Sequence, residues 1–249
     1  MKIVGLTALI LFSVASLVQA QNQITLRDSV ENNEYMVFKN EVRCNNLETA
    51  TQCLSRQHQK QEVDRWKRAI RKAAGMLPPE FFKQTGKISW KFFIDRNDWV
   101  TAYASFSTID INLLSNYKDP PLWMTWEPLG KDGLLESEMI FVSLHEMAHI
   151  YIYRDELNIL DEMGVVNKAW TEWNKEEETT LYGKERGQAE DFAETFALYI
   201  MFPEQLKKYF PLHYGVIKNI LATEYESMYL MPSSLQLRVS VQDHEKNDK

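Results

Sequence analysis

The chain is 249 residues long, enough for one medium domain or two small ones. Its 28 basic and 35 acidic residues leave it acidic, and an acidic surface repels nucleic acid and anionic membrane alike, so neither is expected as a partner. The apolar and charged fractions, 45% and 25%, are ordinary for a soluble globular protein.

The first twenty residues stand apart. Lys2 supplies a short positive region, residues 3–18 are almost wholly apolar, and Val18-Gln19-Ala20 ends in a small residue suited to cleavage. This pattern predicts a secretory signal peptide over residues 1–20, with a retained membrane anchor as the alternative. Its removal leaves 27 basic against 35 acidic residues and an exported protein, periplasmic or secreted. In such a compartment the only two cysteines, Cys44 and Cys53, most simply form a disulfide; free thiols are the alternative.

Residues 21–60 read as a polar N-terminal arm with a short extended piece at Tyr35-Met36-Val37-Phe38. Leu54 to Met76 is an amphipathic helix, because Val63, Trp66, Ile70, Ala73 and Ala74 share one stripe. Lys67, Arg68, Arg71 and Lys72 read as its solvated face. Gly75 and Pro78-Pro79 end it, and Pro79 opens a short helix through Phe81-Phe82. Lys87 to Ile94 alternates as a strand. Trp99 to Leu113 predicts one or two strands, with a hairpin turning near Ser105 to Thr108. Tyr117 to Gly133 is a loop, and Trp123, Met124 and Trp126 within it either anchor it on the core or wall a substrate cleft.

Leu134 to about Arg154 predicts a helix free of Gly and Pro. Asp155 to Thr180 reads as a loosely packed polar connection, whose acidic run Glu176-Glu177-Glu178 is merely solvated. A second apolar helix runs from near Gly187 to about Met201, with Ala189, Phe192, Ala193, Phe196, Ala197 and Ile200 as its stripe. Pro203 breaks it, and Gln205 to Phe210 and Pro211 to about Met228 predict two more helices. Residues 61–238 are expected to form one α+β domain, mostly helical with a small mixed sheet, and residues 239–249 a disordered tail.

The chemistry concentrates in His145-Glu146-Met147-Ala148-His149. Residues four apart on a helix share a face, so His145 and His149 can offer two imidazole nitrogens to one metal ion. Glu146 lies about 100° further round, within reach of a water on that metal. A candidate third ligand stands downstream. Glu190 and Glu194 also stand four apart, on an apolar helix, where buried carboxylates are costly unless paired or bound to a cation. Glu190 is the expected ligand, and Glu194 would accept a hydrogen bond from the far nitrogen of a ligand histidine. Pairing of these glutamates with Lys or Arg is the alternative, and ligation by Asp191 is a lesser one.

These two segments together resemble the gluzincin zinc metallopeptidases, and among them the catalytic domain of anthrax lethal factor and the Pro-Pro endopeptidases. The resemblance covers roughly Lys87 to Met201. Its specific part is the H-E-x-x-H helix together with Tyr182-Gly183 and Ala189-Glu190-Asp191-Phe192-Ala193-Glu194. The chain departs from the family pattern by one extra residue between Tyr182 and Glu190, and by Asp191 in place of an aromatic.

The resemblance implies a zincin-like fold in which an edge strand borders the active-site cleft and holds an extended peptide. It implies one zinc ion on His145, His149 and Glu190, with Glu146 as general base and the Tyr182 hydroxyl on the oxyanion. The substrate would be a peptide or protein. Two other readings share these residues: a catalytically retired zincin-fold binding protein with a structural zinc, and a secreted toxin or effector protease. A metzincin arrangement with Asp155 as third ligand is disfavoured, because Ile152 stands where a glycine would turn the chain back.

Overall fold

The computed structural model describes residues 32–44, 56–95, 101–113, 136–159 and 168–226. The expected signal segment, most of the arm, the loop with Trp123, Met124 and Trp126, and the tail lie outside these residues. Cys44 is disulfide-bonded, and the other cysteine of the chain, Cys53, falls outside the described residues. No helix among the described residues is long and apolar enough to cross a membrane.

The fold is α+β and mostly helical, with a four-stranded mixed sheet in the order β1-β2-β4-β3. A 3-10 turn at Asn32–Tyr35 leads into β1, Met36–Cys44, which is longer than the four-residue extended piece the sequence suggested. The strand earns its length by pairing in parallel with β2, Ile88–Ile94, across an irregularity between Phe38 and Val42. β2 also pairs in parallel with β4, Thr108–Asn112. The hairpin lies where expected: β3, Ala102–Ser105, turns through Phe106 and Ser107 and runs antiparallel to β4 as an edge strand. Phe106 occupies the left-handed region at φ 36°, with its ring in solvent. Alternation buries Ile88, Trp90 and Phe92 of β2 with Ile109 and Ile111 of β4.

Helix α1, Arg56–Gly75, buries Val63, Trp66, Ile70, Ala73 and Ala74 as the stripe predicts. Its basic face is not wholly given to water. The Arg71 guanidinium lies 4.9 Å and the Lys67 ammonium 5.6 Å from the centroid of Phe38 on β1. Helix α2, Pro79–Thr85, stops at Gly86, whose φ of 67° favours glycine.

Two helices form the centre of the molecule. Helix α3, Glu136–Ile159, packs on α1, on β3 and on α6, Gln188–Met201. From Glu138 to Ile152 every residue of α3 except Val142 is buried, and so is all of α6 from Asp191 onward. Neither helix has a polar face over these spans, so their charged residues must find partners inside the protein. α3 runs unbroken to Ile159, past Asp155, as a helix without the turning glycine should.

The segment after α3 is better organised than its polarity suggested. Helix α4, Lys168–Trp173, lies within it, and helix α5, Leu181–Arg186, follows directly. Helix α7, Pro203–Tyr209, restarts the chain after Phe202, and α8, Pro211–Leu221, ends seven residues short of Met228. Glu176 is not simply solvated: its carboxylate accepts from the backbone N–H groups of Leu212 (3.2 Å) and His213 (2.8 Å), capping the start of α8.

Phe196 is fully buried where α6 meets α2, in ring contact with Phe81 (centroids 5.6 Å apart) and Phe192 (6.2 Å). Phe196→Ala leaves a cavity between packed elements and is expected to cost about 3–5 kcal/mol. Urea titration checks this: a loss below about 1 kcal/mol would mean that the two layers are not held together there.

Candidate metal centre

The buried His145 and His149 of α3 and Glu194 of α6 meet around Glu190, which is half-buried in the first turn of α6. His145 and His149 lie one turn apart with their rings edge-to-face, centroids 4.8 Å apart and planes 77° apart, and both face Glu190 on α6. His145 Nε2 and His149 Nε2 lie 3.0 Å and 3.1 Å from Glu190 Oε2, and 3.1 Å from each other. On its far side His145 Nδ1 lies 3.0 Å from Glu194 Oε1. The side chain of Glu190 is 28% exposed against 9% for each imidazole, so the approach from solvent runs past Glu190.

His145, His149 and Glu190 could hold a metal ion. Two observations are compatible with a cation there. If Nδ1–H of a neutral His145 donates to Glu194, its Nε2 is a bare lone pair aimed at a carboxylate oxygen and at a second imidazole nitrogen. Such a contact is repulsive until a proton or a metal ion enters. The triangle of donor atoms also has edges of 3.0–3.1 Å. A tetrahedral ion with bonds of about 2.0–2.1 Å needs edges of about 3.3 Å, so a movement of a few tenths of an ångström accommodates it.

The electrostatics agree. Burial alone would lower the pKa of His145, but hydrogen bonds to Glu190 and Glu194 and the nearby carboxylate charges override it and raise it well above the ordinary value. Burial would raise Glu190, yet its hydrogen bonds to both imidazoles hold its carboxyl well below the usual range. Positive charge is therefore favoured between these groups.

Glu146 is buried beside them and makes none of the three donor contacts. Burial pushes its pKa up against the pull of the two histidines. Tyr182 lies within α5, its ring centroid 6.0 Å from that of His145. Burial, and then the charges of Glu190, Glu194 and Glu146, push the Tyr182 hydroxyl up, so it stays protonated.

Asp191 does not join the group that could hold a metal ion. It is 1% exposed and turned away, accepting from Trp173 Nε1 (2.7 Å), Thr179 N (2.7 Å) and Thr179 Oγ1 (2.9 Å). Burial raises its pKa to about 6 against these hydrogen bonds. Ala189, expected on the apolar stripe, is exposed instead. The sequence reading missed Asp191, Thr179 and Trp173 as a group, and also buried His213, which stacks on Trp173 at 4.0 Å. One signal for them existed. Asp191 is a third acidic residue on a helix that should be buried, about 100° away from Glu190 and so out of reach of the same ion.

No protein-family model matches the chain, and no curated protein or solved structure matches it either.

Proposed function

We propose that this chain is an exported zinc-dependent metalloendopeptidase of the gluzincin type, with a zincin-like fold. The observation that carries the reading is the convergence of His145 Nε2, His149 Nε2 and Glu190 Oε2 at 3.0–3.1 Å, beside a buried Glu146 that lies outside that group. Two imidazoles and one carboxylate are a donor set that suits zinc and leaves a coordination position open for catalysis. Zinc held there would supply Lewis-acid chemistry, polarising a peptide carbonyl and lowering the pKa of a water towards ~7.

The remaining steps belong to the chain. Glu194 accepts the Nδ1–H of His145 and so keeps Nε2 free to ligate. Glu146 takes a proton from the attacking water and returns it to the leaving amine; its raised pKa suits a group that must carry the proton between the two events. The Tyr182 hydroxyl, held protonated, donates to the developing oxyanion. β3 is an edge strand packed on α3, and an edge strand offers backbone groups along which a substrate peptide can lie extended. The substrate is a peptide or protein.

The test is a peptide-library cleavage profile of the protein without residues 1–20, run with and without a chelator, beside metal analysis. Cleavage that chelator abolishes and zinc restores, with about one zinc per chain, is expected. Bound zinc without any cleavage would favour a binding protein on the same scaffold.

A further inference from the structure

The buried carboxylate next to the ligating one has no part in the chemistry described above, yet it accepts three hydrogen bonds. We propose that Asp191 is a positioning residue that fixes α5, and with it Tyr182, over the metal-ligating cluster. The inference rests on the peptidase reading only in what it takes Tyr182 to do.

Three contacts make the clamp. Asp191 Oδ1 accepts both the backbone N–H and the hydroxyl of Thr179, at 2.7 Å and 2.9 Å, while Oδ2 accepts the Trp173 indole N–H at 2.7 Å. Together these tie both ends of residues 173–179 to one side chain. The hydroxyl of Thr179 also meets that of Thr195, one turn along α6, at 2.9 Å. The next residue, Thr180, starts α5: its Oγ1 accepts from Gly183 N at 3.0 Å. Finally, α5 lies directly on Asp191. A Cβ on Gly183 would fall 2.7 Å from Asp191 Cα and 2.9 Å from its Oδ1, so only glycine allows this approach.

Tyr182 thus sits between the capping residue Thr180 and a glycine pressed on Asp191, while Glu190, next to Asp191, points into the cluster. One peptide bond separates the residue that ligates from the residue that anchors. The place of the Tyr182 ring relative to the ligand set is therefore set over a very short path. α5 has only six residues and could not hold that place unaided.

The test uses hydrogen exchange and a double-mutant cycle. In Asp191→Ala, amides of residues 179–186 are expected to exchange at least about tenfold faster, while those of α3 keep their protection. Asp191→Asn retains an acceptor for Thr179 and loses the one for Trp173, so it should give an intermediate result and decide the matter if the alanine variant does not fold. In zinc-loaded protein Asp191→Ala should lower kcat about tenfold or more at unchanged zinc content, yet cost less than about twofold in a Tyr182→Phe background. Unchanged exchange over residues 179–186, loosening of α3 to the same degree, or an equal loss in both backgrounds would each overturn the proposal. An inactive parent protein would reject the peptidase reading alone, and the exchange experiment would still decide whether Asp191 holds α5.

Discussion

Glu146→Gln is expected to lower peptide cleavage by about 10²–10⁴-fold while the protein keeps its metal. The substitution preserves shape and removes only the capacity to accept and return a proton. Glu146 lies outside the three-atom ligand triangle, so the amide leaves His145, His149 and Glu190 in place. The fold should not suffer either. Glu146 is a buried carboxyl whose charge is penalised by burial, and a neutral amide of the same volume avoids that penalty. Kinetics, zinc content and thermal denaturation of parent and variant, measured together, separate the possibilities. A loss of only a few fold would remove Glu146 from the mechanism. Loss of zinc in parallel with activity would make it a ligand or a structural support instead.

The elements most legible in the sequence are those whose signal is local. The stripe of α1, the β3–β4 turn and the helices bracketed by Pro203 and Pro211 follow from periodicity and from residues that break it. His145, Glu146 and His149 were equally legible, because five consecutive positions of one helix fix their relation. Glu190 and Glu194 required one further step, the cost of burying carboxylates on an apolar helix, which the structure pairs with the two imidazoles.

What stayed hidden depended on contacts between distant residues. β1 is nine residues long because β2 lies beside it, and nothing in Lys39 to Arg43 alone declares a strand. Glu176 looked like one of a solvated run, yet a helix that begins 35 residues later supplies the N–H groups it caps. Trp173 and Thr179 looked like parts of a loose connection for the same reason: their partner, Asp191, lies on another element. Polarity in sequence marks groups that need partners, and only the fold says whether water or protein provides them.

The second large effect expected is at the metal itself. Glu190→Ala should weaken zinc binding by more than about a hundredfold, and Glu194→Gln by about 10–100-fold. The order follows from position. Glu190 Oε2 lies within 3.1 Å of both His145 Nε2 and His149 Nε2, whereas Glu194 meets the far nitrogen of His145. A hundredfold loss also removes about 2.7 kcal/mol of the stabilisation that saturating zinc gives the parent. Affinity must depend on pH as well. The neighbouring carboxylates override burial and raise the pKa of His145 well above its ordinary value, so zinc binding there would displace a proton. Below that pKa affinity falls about tenfold per pH unit for each proton displaced, and binding releases protons to buffer. Titration calorimetry in two buffers of different ionisation enthalpy, repeated between about pH 6 and 8, measures affinity and proton release together. Parental affinity in Glu190→Ala would transfer the third ligand to another residue and break the link between the two helices on which the peptidase reading depends. A pH-independent affinity in the parent would show instead that His145 is already neutral before metal arrives.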